Sequence, residues 1–415
     1  MNNKKRSKFT KKYTLVFMLI TLAVILSLSL GSVSAADWTV GPGGTHNYTS
    51  IQDAINNAYT LSGDTISVYD NNGTPYTYNE NVVVNKTNLT VQSTGQVTVS
   101  GSSNPANPVF TINNQGAYAY ITGFTLSGST NSAGVLVTGT NNVTLNNLTI
   151  NNCQQGVLMT STSTNITLES LNISSTQGHG IYFNGDLTNV TVNGTQISST
   201  GNNAIEKYEA SNLNGLSIIN TTITNPIGRG IFLTTWSDLH LKNVLIDNVN
   251  ITGATYDGIY IYMGHTNSGN VTITNSSITN SSLHGMALYT RGTLHMANNT
   301  FSDNGYGGGD NQYYGLYVNG AYNTEINIAN DNRLVENRNG IRLDNVGNET
   351  NQITVIGTQL INNAGYPVWI NNGHYITITN VDFDDAATQT ATGARIIQAI
   401  HIDGTSTNIT LENLN

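Results

Sequence analysis

A glycine followed by a short alternation of apolar and polar positions recurs along the chain. It appears as Gly134-Val135-Leu136-Val137, Gly156-Val157-Leu158-Met159 and Gly180-Ile181-Tyr182-Phe183. It continues as Gly230-Ile231-Phe232-Leu233, Gly258-Ile259-Tyr260-Ile261, Gly285-Met286-Ala287-Leu288, Gly315-Leu316-Tyr317-Val318 and Gly340-Ile341-Arg342-Leu343, with Ala204-Ile205 in the one gap. Successive units are about 22 to 30 residues apart, the range of a solenoid repeat. Each unit carries a second alternation, as in Val143-Thr144-Leu145 or Ile166-Thr167-Leu168, and a third two residues later, as in Leu148-Thr149-Ile150. Period-2 alternation predicts strands, and no helical spacing separates them.

Three short strands per repeat without crossover helices describe one turn of an all-β parallel β-helix. Each strand pairs with its equivalent one unit later, and every second side chain stacks into an apolar core. A two-residue corner between the second and third strands ends in a small residue or asparagine: Asn147, Ser170, Gly194, Asn220, Asn243, Asn275, Asn298, Asn330, Gly357, Asn380 and Asn413. A tight corner needs a positive φ, which Gly and Asn tolerate best, and stacked asparagines can hydrogen-bond along the column. On these residues the sequence resembles the right-handed parallel β-helix, or pectin-lyase-like, superfamily from about residue 63 to the end. The resemblance implies the fold and leaves function open.

The chain divides into three expected parts. Residues 1–35 read as a signal peptide: Lys4, Lys5, Arg6, Lys8, Lys11 and Lys12, an apolar run over 13–30, then Val33-Ser34-Ala35 for cleavage. The run is long for a signal, so a retained N-terminal membrane anchor is the alternative. Residues 36–62 form an N-terminal cap, in which Ser50 and Asp53 predict the start of a short amphipathic helix over the first coil. Residues 63–415 are the β-helix, irregular over 63–133 and regular over 134–415. The last coil stops past a corner, an open edge suited to self-association.

Composition narrows the function. Only 9% of the 415 residues are charged, and Tyr is abundant at 21. The polar surface is therefore Asn, Ser, Thr and Gly. Nine Lys and Arg remain after residue 35 against all 24 acids, which leaves residues 36–415 at −15. Nucleic acid is excluded as a partner on that charge. Cys153 is the sole cysteine, so no internal disulfide forms. About eighteen Asn-x-Ser/Thr sequons, Asn142, Asn165 and Asn189 among them, follow mostly from repeated strand starts, and some are open to glycosylation.

Candidate chemistry clusters on the Gly-Ile strands. Tyr182, Tyr208, Phe232, Tyr260, Tyr262, Tyr289 and Tyr317 are expected to project outward from consecutive rungs, forming a face that can stack on sugar rings. The alternative is that aromatics simply favour strands and are covered by loops. The corner before each glycine stacks His179, Asn203, Arg229, Asp257, His284 and Tyr314; no catalytic residue is assigned, and if the fold carries a catalytic or binding pocket it is expected near Asp257, His284 and Arg229. Gly178-His179-Gly180 resembles a polygalacturonase segment, but its flanking corners hold Gln155 and Asn203, not the paired acids that hydrolysis needs. Asp384-Asp385 lies about eight coils, roughly 40 Å, away. His179 therefore reads as a solvated histidine in a glycine-rich corner, and Arg342 with Asp344 as a surface ion pair. No metal cluster or cofactor is expected; Ca²⁺ would enter only with lyase chemistry.

The whole chain is similar to adhesin-like surface proteins of methanogenic archaea, and 39–55 to the cap of NosD-type β-helices. That resemblance implies a secreted or cell-surface protein that binds glycans or surface polymers and is not an enzyme. Two alternatives stay open: a polysaccharide lyase or glycoside hydrolase on the same fold, and a structural surface-layer component.

Overall fold

In a computed structural model the chain winds into three parallel sheets. The structure describes residues 35–415 apart from 209, 236–239, 264–268, 291, 310–311, 321–324, 330 and 385–398. The expected leader and Asp385 lie outside the described residues. Sheet one has 13 strands, from Val82–Val84 to Ile400–Asp403, and holds the Gly-Ile strands. Sheet two has 15 strands, from Asp37–Val40 to Thr407–Glu412, and sheet three has 13, from Tyr76–Tyr78 to Asp382–Asp384. Every strand pairs in parallel with its equivalent one coil on, as in Val157↔Ile181, Ile166↔Val190 and Ile173↔Ile197. The coils before residue 133 run in the same three sheets.

The alternation sets the core. Val135, Val157, Ile181, Ile205, Ile231 and Ile259 stack in register and are fully buried, while the residues between them face outward. Burial of each such side chain contributes about 1.5–3 kcal/mol. The recurring glycine has a packing cause. A Cβ on Gly230 would lie 2.5 Å from the carbonyl oxygen of Gly258, one rung on, and 2.6 Å from Ile251 Cγ2 in the core. The ladder leaves no volume for a side chain there.

The helix Ile51–Asn56 buries Ile51, Ala54 and Ile55 against the first coil. Ser50 Oγ accepts from the Asp53 amide as the sequence predicts. The remaining end amides are satisfied from another coil: Glu80 accepts from Ile51 N and Gln52 N, both at 3.0 Å.

The corner after sheet two turns through positive φ at Asn147, Asn220, Asn248, Asn275, Asn298, Asn380 and Asn413. Side-chain hydrogen bonds join Asn248 to Asn220 at 2.8 Å, Asn298 to Asn275 at 2.7 Å and Asn413 to Asn380 at 3.2 Å. Asn243 does not belong to this column. Register pairs Ile219 with Asp247, so the residue across from Asn220 is Asn248. Asn243 stands inside the sheet-two strand Leu241–Asp247, in register with Asn142, Asn165, Asn189 and Gly215, a second positive-φ column whose first three asparagines are hydrogen-bonded. Two Asn-Val dipeptides five residues apart, at 243 and 248, make the columns easy to exchange in sequence. Asn330 lies outside the described residues; across from Asn298 the turn residue is Asp331, with φ of 67°.

Candidate functional site

Sheet one carries the chemistry because its outward residues are large. One outward column runs Tyr182, Glu206, Phe232, Tyr260, Ala287, Tyr317, Arg342, Trp369 and His401, one residue per rung. The column beside it runs Thr234, Tyr262, Tyr289, Asn319 and Asp344. Parallel register places these side chains about 4.8 Å apart along the axis. Aromatic rings that close must lean on one another.

They form an unbroken chain. Ring centroids are 5.3 Å apart for Phe232 and Tyr260, 5.4 Å for Tyr260 and Tyr289, and 5.5 Å for Tyr289 and Tyr317. Tyr262 joins Tyr289 at 6.0 Å. Arg229 lies over Phe232 and Tyr260 at 4.7 and 4.8 Å, and over exposed Tyr256 at 5.4 Å. At the other end Arg342 lies 5.8 Å over Tyr317 and 4.6 Å over Trp369, which contacts Tyr366 and His401 at 4.9 and 5.0 Å. From Phe232 to His401 the contacts cross seven consecutive rungs. The rings are half-buried in one another, neither free-standing nor covered. Tyr182 packs on His179 at 4.7 Å, and Tyr208 stands 40% exposed just beyond the strand Ile205–Lys207.

The corner column locks against this face. Arg229 Nε donates to Asp257 Oδ2 at 2.8 Å, and the His284 amide donates to Asp257 Oδ1 at 3.1 Å. His284 Nδ1 accepts from the Tyr314 amide at 3.1 Å, and its ring stacks on Tyr317 at 5.0 Å. So the structure brings Arg229, Asp257 and His284 together as expected from their spacing. Burial raises the Asp257 carboxyl, against the pull of Arg229 and the His284 amide. Burial, then the nearby Arg342 charge, pushes His284 down to about 3.

Two expectations need correction. His179 is not solvated: its side chain is 12% exposed, and Nδ1 lies 3.0 Å from Glu206 Oε2. Burial pushes it down to about 4, against the hydrogen bond to the Asn203 backbone. The Arg342–Asp344 pair is not a surface pair. Arg342 Nε donates to both Asp344 oxygens at 2.9 Å, Tyr317 Oη donates to the same carboxylate at 3.1 Å, and the Asp344 side chain is 7% exposed.

Three carboxylates on this face are thus engaged: Asp257 by Arg229, Asp344 by Arg342, and Glu206 by Asn203 Nδ2 at 2.6 Å; Asp403, on the last rung, is exposed and 3.8 Å from His401. Among the described residues no three His, Cys, Asp or Glu side chains group to hold a metal ion. The Cys153 thiol is buried and pushed up to about 11 by that burial, which removes it as a nucleophile. Trp369, His401, Tyr256 and Tyr366 were not expected from sequence. The signal for the first was present: Val368-Trp369-Ile370 keeps the alternation, but Pro367 stands where the marker glycine stood in earlier coils.

The sequence matches the family described as "Right handed beta helix region" over residues 107–246 and 240–415. The chain belongs to the right-handed β-helix family. No curated protein matches it significantly. Among solved structures, this β-helix is similar to the catalytic unit of a thermostable GH87 α-1,3-glucanase from Streptomyces thermodiastaticus strain HF3-3. The two are 16% identical with a TM-score of 0.56, over 93% of this chain and 68% of that one. An alginate lyase from Paenibacillus sp. str. FPU-7 is 15% identical with a TM-score of 0.49, over 65% of this chain and 95% of that one. PfbA, a surface adhesin of Streptococcus pneumoniae, is 14% identical with a TM-score of 0.40, over 88% and 87%. The first likeness speaks for the fold alone, and the other two are too distant to bear on function.

Proposed function

We propose that this β-helix is a secreted or cell-surface protein that holds a polysaccharide on the outward face of sheet one. The observation that carries this reading is the six-rung chain of Arg229, Phe232, Tyr260, Tyr289, Tyr317, Arg342 and Trp369. Rings that support one another lose little entropy on binding, and their free edges and faces suit the C–H faces of sugars. Asn319 and the tyrosine hydroxyls beside them can meet sugar hydroxyls. The lysine-rich leader supports export. The α-1,3-glucanase likeness adds that the fold is used on polysaccharides elsewhere.

Binding without turnover is favoured over catalysis by the engaged carboxylates. Inverting hydrolysis needs an acid and a base about 6.5–9.5 Å apart and free to exchange protons. One observation favours the enzymatic reading: burial raises the Asp257 carboxyl above its ordinary value, the direction a general acid requires. A single experiment separates them. The protein is incubated with acidic and neutral polysaccharides, with and without Ca²⁺, while new reducing ends and unsaturated products are followed and retention is measured. Retention without new ends, weakened in Tyr260→Ala, supports binding. New ends that disappear in Asp257→Asn would replace the binding reading with a hydrolase or lyase.

A further inference from the structure

We infer that the ligand of this face is an uncharged glycan chain lying along the helix axis and anchored at two arginine-centred ends. The inference rests on reading the face as a glycan site and names the class of glycan. The ring contacts run from rung to rung, across the strands, so the continuous surface they build is parallel to the axis. Its ends are alike. Arg229 is sandwiched by Phe232, Tyr260 and Tyr256 with Asp257 on Nε, and Arg342 by Tyr314, Tyr317 and Trp369 with Asp344 on Nε. Four rungs separate Phe232 from Arg342, about 19 Å.

Among the described residues, the charge on this face disfavours an acidic glycan. An acidic chain needs unmatched cations, as carboxylate and sulfate groups are recognised by free guanidinium or ammonium groups. Arg229 and Arg342 already have carboxylate partners, so an incoming anion would meet Asp257 or Asp344 at the same point. The remaining cations of the described residues are elsewhere. Lys207 points into the core, fully buried, and donates to the Tyr208 and Thr234 carbonyls. Lys242 and Arg333 lie on sheets two and three. Lys86 is bound to the Asn57 and Thr60 carbonyls of the first coil, and Arg338, on the shoulder beside Tyr313, is not free. Glu206 and Asp403 add negative charge at the two extremities, and the net charge of residues 36–415 repels polyanions at longer range. What the paired arginines retain is Nη donors held rigidly over rings, Arg342 Nη1 already donating to Tyr314 Oη at 3.4 Å, a geometry suited to hydroxyl oxygens.

The test is calorimetric titration of the protein with neutral glucans of several linkages and with chitin oligomers, as disaccharides and as long chains, beside polygalacturonate and alginate, at low and high salt. A neutral long chain is expected to bind about ten-fold more tightly than its disaccharide, with little change on adding salt. Phe232→Leu and Trp369→Leu are each expected to weaken the long chain about ten-fold. Tyr256→Ala, at a 47% exposed position that tolerates truncation, gives the same readout at the first end if Phe232→Leu fails to fold. Preferential binding of polygalacturonate or alginate, lost at high salt, would overturn the uncharged class and leave the glycan reading standing. Loss in the first-end variants with none in Trp369→Leu would overturn the two-ended anchoring. Retention of no carbohydrate at all would overturn the glycan reading itself.

Discussion

Asn304 and Asn337 hydrogen-bond to one another inside the core: Asn304 Nδ2 donates to Asn337 Oδ1 at 2.9 Å, and both side chains are wholly buried. Asn337 Nδ2 passes the bond on to Asn363 Oδ1 at 3.2 Å and also donates to the Phe301 carbonyl at 2.8 Å. Asn304 Oδ1 in turn accepts from the Ser281 amide at 2.9 Å. Asn299 and Asn332 form a parallel pair at 3.0 Å. Each amide satisfies two backbone groups that the corner would otherwise leave buried and unpaired, so this internal ladder, unlike the exposed one, bears on stability.

Asn337→Ala is therefore expected to destabilise the fold by about 3 kcal/mol, since it strands the Asn304 amide groups and the Phe301 carbonyl. Asn298→Gly removes an exposed ladder bond but keeps the positive φ, and is expected to stay within about 0.5 kcal/mol. Denaturant titration of the two variants gives the comparison; equal losses would refute the distinction.

Gly230→Ala is expected to cost about 1–3 kcal/mol by overpacking, because the new Cβ meets the Gly258 carbonyl and Ile251 together. Thermal unfolding measures it. A neutral outcome would mean that the rungs can separate locally.

Arg229→Ala leaves Asp257 buried and uncompensated, at a side-chain exposure of 3%, and is expected to lower stability by about 3 kcal/mol. Adding Asp257→Asn to the same chain is expected to recover most of the loss, because the buried charge is gone. Failure of the second change to rescue the first would show that packing over Phe232 and Tyr260 dominates.

Acid should weaken the fold through His284. Its folded-state value lies near 3, below an ordinary histidine, so between about pH 6.5 and pH 3 the unfolded chain takes a proton that the folded chain refuses. Stability is complete above that window and falls as pH drops through it. Unfolding midpoints at pH 7 and pH 4 are expected to converge in His284→Gln relative to the parent chain; an unchanged difference would assign the acid sensitivity to other groups.

Sequence periodicity by itself determined the solenoid. The Gly-Ile, Val-Thr-Leu and Leu-Thr-Ile alternations fix which residues face the core, because a strand presents side chains with period 2 and a one-residue slip would turn Ile181 and Ile205 outward. It also located the positive-φ corners and most of the aromatic row, since residues at equal offsets in successive repeats must stack. Tertiary structure decided what those offsets leave ambiguous. Asn243 and Asn248 differ by five residues, and only strand register assigns each to its column. Trp369 joined the row although Pro367 had erased the marker glycine, because pairing with Arg342 depends on backbone hydrogen bonds and not on the residue before them. The burial of Asn304, Asn337 and Asn363 was hidden because a buried asparagine reads as polar until the backbone groups it satisfies are in place. The pairing of Arg229 with Asp257 across a rung, 28 positions apart in the chain, likewise exists only once the coils are stacked.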